Sequence, residues 1–151
     1  MIEVEIGSPD WTAALANAGE LAEAAAEVAL QDADFLGDVV VLLASDDEVA
    51  ALNARYRGKP GPTNVLSFPS AQSARPHLGD VALAYGVCAR EAREQGKRLD
   101  HHLMHLVAHG VLHLVGYDHQ IDSEAETMEA LERRVLAALG APDPYADANG
   151  R

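Results

Sequence analysis

The stretch His101-His102-Leu103-Met104-His105-Leu106-Val107-Ala108-His109-Gly110-Val111-Leu112-His113-Leu114-Val115-Gly116-Tyr117-Asp118-His119 holds six of the chain's seven histidines. The residues between them are mostly Leu, Val, Met and Ala, with no strong helix breaker before Gly110. The pattern predicts a helix over 101–115, buried on most sides. At about 100° per residue, His102, His105, His109 and His113 share a narrow arc of one face. His109 and His113 are one turn apart, the spacing for two imidazoles on one metal ion. Gly116 is placed to end the helix in the left-handed conformation. A tight turn then brings His119 back over the last turn.

The resulting pattern is His-x3-His-x2-Gly-x2-His. Three imidazoles without a fourth protein ligand are the donor set of a catalytic zinc site with an open position. A structural site would normally be closed, typically by cysteines, and the only cysteine is Cys88. The spacing also matches the long zinc-protease helix motif, except that the protease has Glu beside its first histidine as general base. That position is Gly110, so a peptidase of that mechanism lacks its base. The rival set His101, His105 and His109 fails on reach: at roughly 1.5 Å per residue its outer members are about 12 Å apart along a straight helix. His101 and His102 are expected to meet solvent at the helix start. His105 is expected to pack in the core or support a ligand from behind.

The length suggests one domain with a real core. We place it at 1–141, with a polar, flexible tail over 142–151. No charge-free run of about twenty apolar residues exists, so no membrane span is expected. A start without basic residues or an apolar signal core, and a single cysteine, point to a reducing cytoplasm.

The net charge of −13 is unevenly spread. Residues 1–50 carry twelve acids and no Lys or Arg, and residues 101–151 carry eight acids and three bases. Residues 51–100 carry eight bases and four acids. A phosphate-binding face therefore belongs in the middle third, if anywhere. Arg90, Arg93, Lys97 and Arg98 read more simply as one solvated helix face laced with Glu91 and Glu94.

Ile2, Val4 and Ile6 alternate with glutamates, as in a strand with one wet face. An Ala-rich helix follows over about 11–30, which Gly19 either divides or starts. Residues 39–43 are apolar on both faces, hence a central strand. Ser45 and Glu48 have the capping-box form at the head of a helix ending near Gly58. After the loop Lys59–Thr63 come strands at 64–68 and 78–84, with Gly79 allowing a bulge or close backbone approach. A helix over 87–95 precedes the histidine helix, whose expected N-cap is Asp100. Ser123 and Glu126 suggest a second capping box, opening a last helix with Met128, Leu131, Val135 and Leu139 on one face. The fold class is α+β (α/β-like): a small four-stranded mixed sheet, about five helices, and the metal site on a central histidine helix.

The run from His109 to His119 resembles the signature of the YbeY family, bacterial metal-dependent endoribonucleases of ribosomal RNA maturation. Leu52-Asn53, Tyr56-Arg57-Gly58-Lys59 and Pro62-Thr63-Asn64-Val65-Leu66-Ser67-Phe68-Pro69 resemble its second block, and Leu78-Gly79-Asp80 its third. The likeness covers about residues 37–145. It implies one zinc ion on His109, His113 and His119, and an arginine important for activity at Arg57. It implies single-strand-specific cleavage in late processing of the 16S rRNA 3′ end and in ribosome quality control. The implied partners are ribosomal RNA, the small ribosomal subunit, and ribosomal or assembly-factor proteins. One departure stands out: many members have an acid a few residues before the Pro-Thr pair, where this chain has Pro60 and Gly61.

Around that core, Asp118 either supports a ligand imidazole or caps the last helix. Arg55, Lys59, Thr63 and Ser67 are candidate RNA contacts, and Thr63 and Ser67 alternatively just finish loop and strand. Two rivals remain open: a non-catalytic, zinc-containing ribosome-assembly or RNA-binding factor, and a metallopeptidase or amidase with another base.

Overall fold

The computed structural model describes residues 1–118 and 120–146. Within these residues four strands form one sheet: β1 (Ile2–Ile6), β2 (Asp38–Ala44), β3 (Val65–Pro69) and β4 (His77–Ala84), in the order β1-β2-β4-β3. β1, β2 and β4 run parallel, and β3 pairs antiparallel with β4 at the edge. β2 is central, as its apolar run requires. Its odd residues Val39, Val41 and Leu43 are buried against one helical layer. Leu42 of the even set packs on a smaller cluster beneath the other face, so the two-residue period assigns one register to each layer.

Among the described residues six α-helices flank the sheet: α1 (Pro9–Ala14), α2 (Ala18–Asp32), α3 (Asp46–Arg57), α4 (Tyr85–Gln95), α5 (Leu99–Leu114) and α6 (Asp122–Ala138). The Ala-rich segment is divided, with α1 closing at Leu15 and α2 opening at Ala18 next to Gly19. The fully buried Ala22, Ala25, Ala26 and Ala29 of α2 share the main core with Leu103, Val107 and Val111 of α5. α5 thus lies between the sheet, α2 and α6.

The Ser45 cap forms as read, with Glu48 N–H donating to Ser45 Oγ (3.1 Å) and Ser45 N–H to Glu48 Oε1 (3.0 Å). Gly58 then ends α3 in the left-handed conformation. Two expected caps do not form. Leu99 and Asp100 already belong to α5, so the N-cap is Arg98, and Asp100 instead accepts from its neighbour His101 N–H and from the Arg98 guanidinium. α6 begins at Asp122, which leaves Ser123 inside the first turn and Ile121 at the cap. Gly79 does both things expected of it. The register slips beside it, Asp38 facing His77 and Val39 facing Gly79. A Cβ at Gly79 would sit 2.5 Å from the Phe68 carbonyl oxygen and 2.7 Å from Leu114 Cδ2.

The four cations read as one helix face are split between α4 and the turn into α5. Arg90 pairs loosely with Glu94 at 4.0 Å, whereas Glu91 turns inward. Residues 142–146, read as the start of a loose tail, lie back on the body. Pro144 is buried and its carbonyl accepts from Lys97 Nζ at 2.7 Å, and Arg133 pairs with Asp143 at 3.2 Å. Among the described residues no helix is long and apolar enough to cross a membrane.

Candidate active site

The second half of α5 faces a cleft of about 490 Å³, with β3 opposite and the end of α3 at its rim. His109 and His113 line it from α5. Their ring centroids are 4.7 Å apart and the rings are nearly perpendicular at 82°. Across the cleft stand Asn64, Val65 and Ser67 of the β3 segment, and Arg57, the last residue of α3. Asp118 and Gln120 line it from the far side of the α5 C-terminus. Residues some fifty apart in sequence therefore share one concavity. The third expected ligand, His119, lies outside the described residues, and no three His, Cys, Asp or Glu side chains converge as a metal set among those described.

Gly110 explains why the protease base is missing. A Cβ there would lie 2.7 Å from Val81 Cγ1 and 3.1 Å from Ser67 Oγ. The helix rests directly on the sheet at this point, and a glutamate has no room. Ser67 Oγ donates to the Gly110 carbonyl at 2.9 Å. That bond ties β3 to α5 and commits the hydroxyl hydrogen, so Ser67 faces the cleft only as an acceptor. Arg55, Lys59 and Thr63 lie outside the cleft lining. Arg55 sits over the Tyr56 ring at 5.2 Å, and Lys59 is exposed. The loop they flank is held by buried Asn53, named from sequence only as part of the family's second block, whose Nδ2 donates to the Gly61 carbonyl at 2.9 Å.

The remaining histidines of α5 are engaged by carboxylates. His102 is buried rather than solvent-facing, and its Nε2 meets Glu91 Oε1 at 3.0 Å. Glu91 also accepts from Asn64 Nδ2 at 3.1 Å, linking α5 through α4 to the cleft wall. His105 Nε2 meets Glu132 Oε1 at 2.7 Å, and His109 Nδ1 meets the same oxygen at 3.0 Å. Tyr145 OH donates to Glu132 Oε2 at 2.7 Å. Glu132 is fully buried. Burial alone pushes its pKa up, but the hydrogen bonds from His105 and His109 prevail and bring it down to about 2. Sequence reasoning missed Glu132 because it sits among charged neighbours of α6, and only its place beside Leu131, Val135 and Leu136 marked it as inward-facing.

The donor chemistry fits a late transition ion. An ionised carboxylate only accepts, so His109 Nδ1 carries the ring hydrogen. The lone pair then lies on Nε2, across the ring from Glu132. His113 is one turn on and presents a second imidazole to the same cleft.

The sequence profile of the family "Endoribonuclease YbeY" matches residues 5–140. Proteins named Endoribonuclease YbeY are similar over most of the chain. That of Rhodopseudomonas palustris strain HaA2 is 52% identical, over 96% of this chain and 81% of its own. That of Maricaulis maris is 59% identical over 72% of this chain and 68% of its own, and that of Chelativorans sp. is 47% identical over 96% and 93%. The solution structure of a Thermotoga maritima protein superposes with a TM-score of 0.60 at 28% identity, covering 96% of this chain and 99% of that one. By its sequence over nearly its whole length, this chain belongs to the YbeY endoribonuclease family.

Proposed function

We propose that this protein is a metal-dependent endoribonuclease that cuts single-stranded RNA. Its setting would be the cytoplasm, in late maturation of the 16S rRNA 3′ end and in ribosome quality control. The observation that carries the reading is the meeting of Arg57 with His109 and His113 in one cleft. In this reading His109, His113 and His119 hold one zinc ion. Zinc, when bound, supplies a Lewis acid and lowers the pKa of a coordinated water towards about 7.

The chain's own residues do the rest. Arg57, at the C-terminal end of α3, reaches the cleft with a planar fork suited to two phosphate oxygens, and stabilises negative charge developing on the phosphoryl group. Asn64, held by Glu91, is a further polar group on the wall along which a strand would lie. The cleft lining contains no glutamate to serve as base among the described residues, and Asp118 is its carboxylate. Asp118 acts by supporting a ligand imidazole.

The test uses His113→Ala and Arg57→Ala proteins whose far-UV circular dichroism matches wild type. Each is incubated with single-stranded RNA beside wild type. We expect loss of cleavage by about 10²-fold or more, the usual scale for removing one electrostatic stabiliser. Undiminished cleavage by both variants removes the assignment.

A further inference from the structure

The carboxylate of Glu132 is the most deeply buried charge beside the cleft, and nothing in the reaction proposed above uses it. An ionised carboxylate survives full burial only when its oxygens are satisfied. Here the two oxygens are divided between two sources. Oε1 lies 2.7 Å from His105 Nε2 and 3.0 Å from His109 Nδ1, and Oε2 accepts from Tyr145 OH. Tyr145 comes from the segment after α6, where its ring lies edge-on to His105 (5.3 Å) and under the Arg133 guanidinium (5.3 Å).

We propose that Glu132 is a positioning residue: its buried carboxylate, held from behind by Tyr145, selects the His109 tautomer that turns the Nε2 lone pair to the cleft. The usefulness of that tautomer rests on the reading of His109 as a metal ligand; the selection itself does not. Two features separate this from a packing role. First, an imidazole can place its hydrogen on either nitrogen, and the partner of one nitrogen decides the state of the other. A carboxylate behind a ligand histidine also raises its basicity. Second, His105 gives its only engaged nitrogen to the same oxygen, and its buried Nδ1 has no partner among the described residues. His105 therefore braces Glu132 and does not compete for the cleft.

The experiment compares wild type with Glu132→Met, Glu132→Gln and Tyr145→Phe. Met matches the glutamate closely in size, suits the neighbouring Met128 and Leu131, and has no acceptor oxygen. Gln keeps an acceptor at Oε1 without the charge. Long-range ¹H–¹⁵N correlation spectra of metal-free, histidine-labelled protein report each ring's tautomer. Competition with a chromophoric chelator reports zinc affinity. We expect His109 as the Nδ1–H form in wild type and in Glu132→Gln, and as the Nε2–H form or a mixture in Glu132→Met. Zinc affinity should fall roughly 10- to 100-fold in Glu132→Met, the usual scale for losing such a partner, with a smaller loss in Glu132→Gln and Tyr145→Phe.

A folded Glu132→Met protein with the wild-type His109 tautomer overturns the proposal. Should Glu132→Met not fold, unchanged zinc affinity in both Glu132→Gln and Tyr145→Phe overturns it instead. A tautomer that depends on Glu132 in a wild-type protein that binds no zinc upholds the positioning role and sinks the metal reading.

Discussion

Arg57 and Gly110 show how single residues define the cleft from opposite sides. Arg57 brings charge to the rim from the last turn of α3, where the helix dipole favours a cation. Its value to a phosphodiester lies in geometry as much as charge, since two parallel N–H groups match two phosphate oxygens. Arg57→Lys should therefore keep RNA binding and lose turnover: KM within about threefold of wild type and kcat down by about tenfold or more, on the scale of a lost bidentate contact. Single-turnover cleavage of a short single-stranded RNA measures both, and an unchanged kcat would assign Arg57 to binding alone. The role of Arg57 was suggested by the motif around it. Its partnership with His109 came from the family resemblance and not from spacing, because fifty residues of chain separate them.

Helix α5 is where local pattern and tertiary contact meet. The sequence period placed His105, His109 and His113 on one face, and the helix runs as read apart from its first turn. What the period left undecided was what each imidazole touches. At Gly110 an added Cβ would meet Val81 Cγ1 at 2.7 Å, so Gly110→Ala should destabilise the fold by about 1–3 kcal/mol, the usual cost of overpacking. The midpoint of urea unfolding measures this, and a neutral change would show that Val81 moves aside freely. The α4–α5 contact has its own signature in pH. Burial, acting against the Glu91 carboxylate, lowers the His102 pKa below its ordinary 6.5. As pH falls through 6.5 the unfolded chain takes up a proton that the folded chain still refuses. The unfolded state then binds more protons, so this contact loses stability on acidification until the folded ring also titrates. Wild type should lose more stability between pH 7.5 and 5.5 than His102→Gln does. Parallel losses in denaturant titrations at the two pH values would remove His102 as a source.

At the scale of the whole molecule, an excess of thirteen negative charges surrounds a cleft whose lining contributes one guanidinium. Counterion release from so few phosphate contacts supports only weak RNA binding. Target choice should then come from the ribosomal particle. We expect ribosomal RNA in small-subunit particles to be cut at least about tenfold faster than the same RNA stripped of protein, a difference of about 1.4 kcal/mol in barrier. Equal rates on the two substrates would place selectivity in the chain itself. The main core lies under α2 and α5, while the cleft sits at the α3–β3–α5 junction.

The periodicities, the Ser45 cap and the histidine spacing are short-range properties, and the sequence by itself determined them: four strands, the histidine helix, that capping box and the family signature. The burial of Glu132, its three hydrogen-bond donors, the inward turn of Glu91 and the lack of room at Gly110 came only from the tertiary structure. Each depends on which remote element packs against the residue, and a local pattern does not encode that distance. A glutamate on an amphipathic helix reads as solvated until two imidazoles and a tyrosine from other parts of the chain close around it.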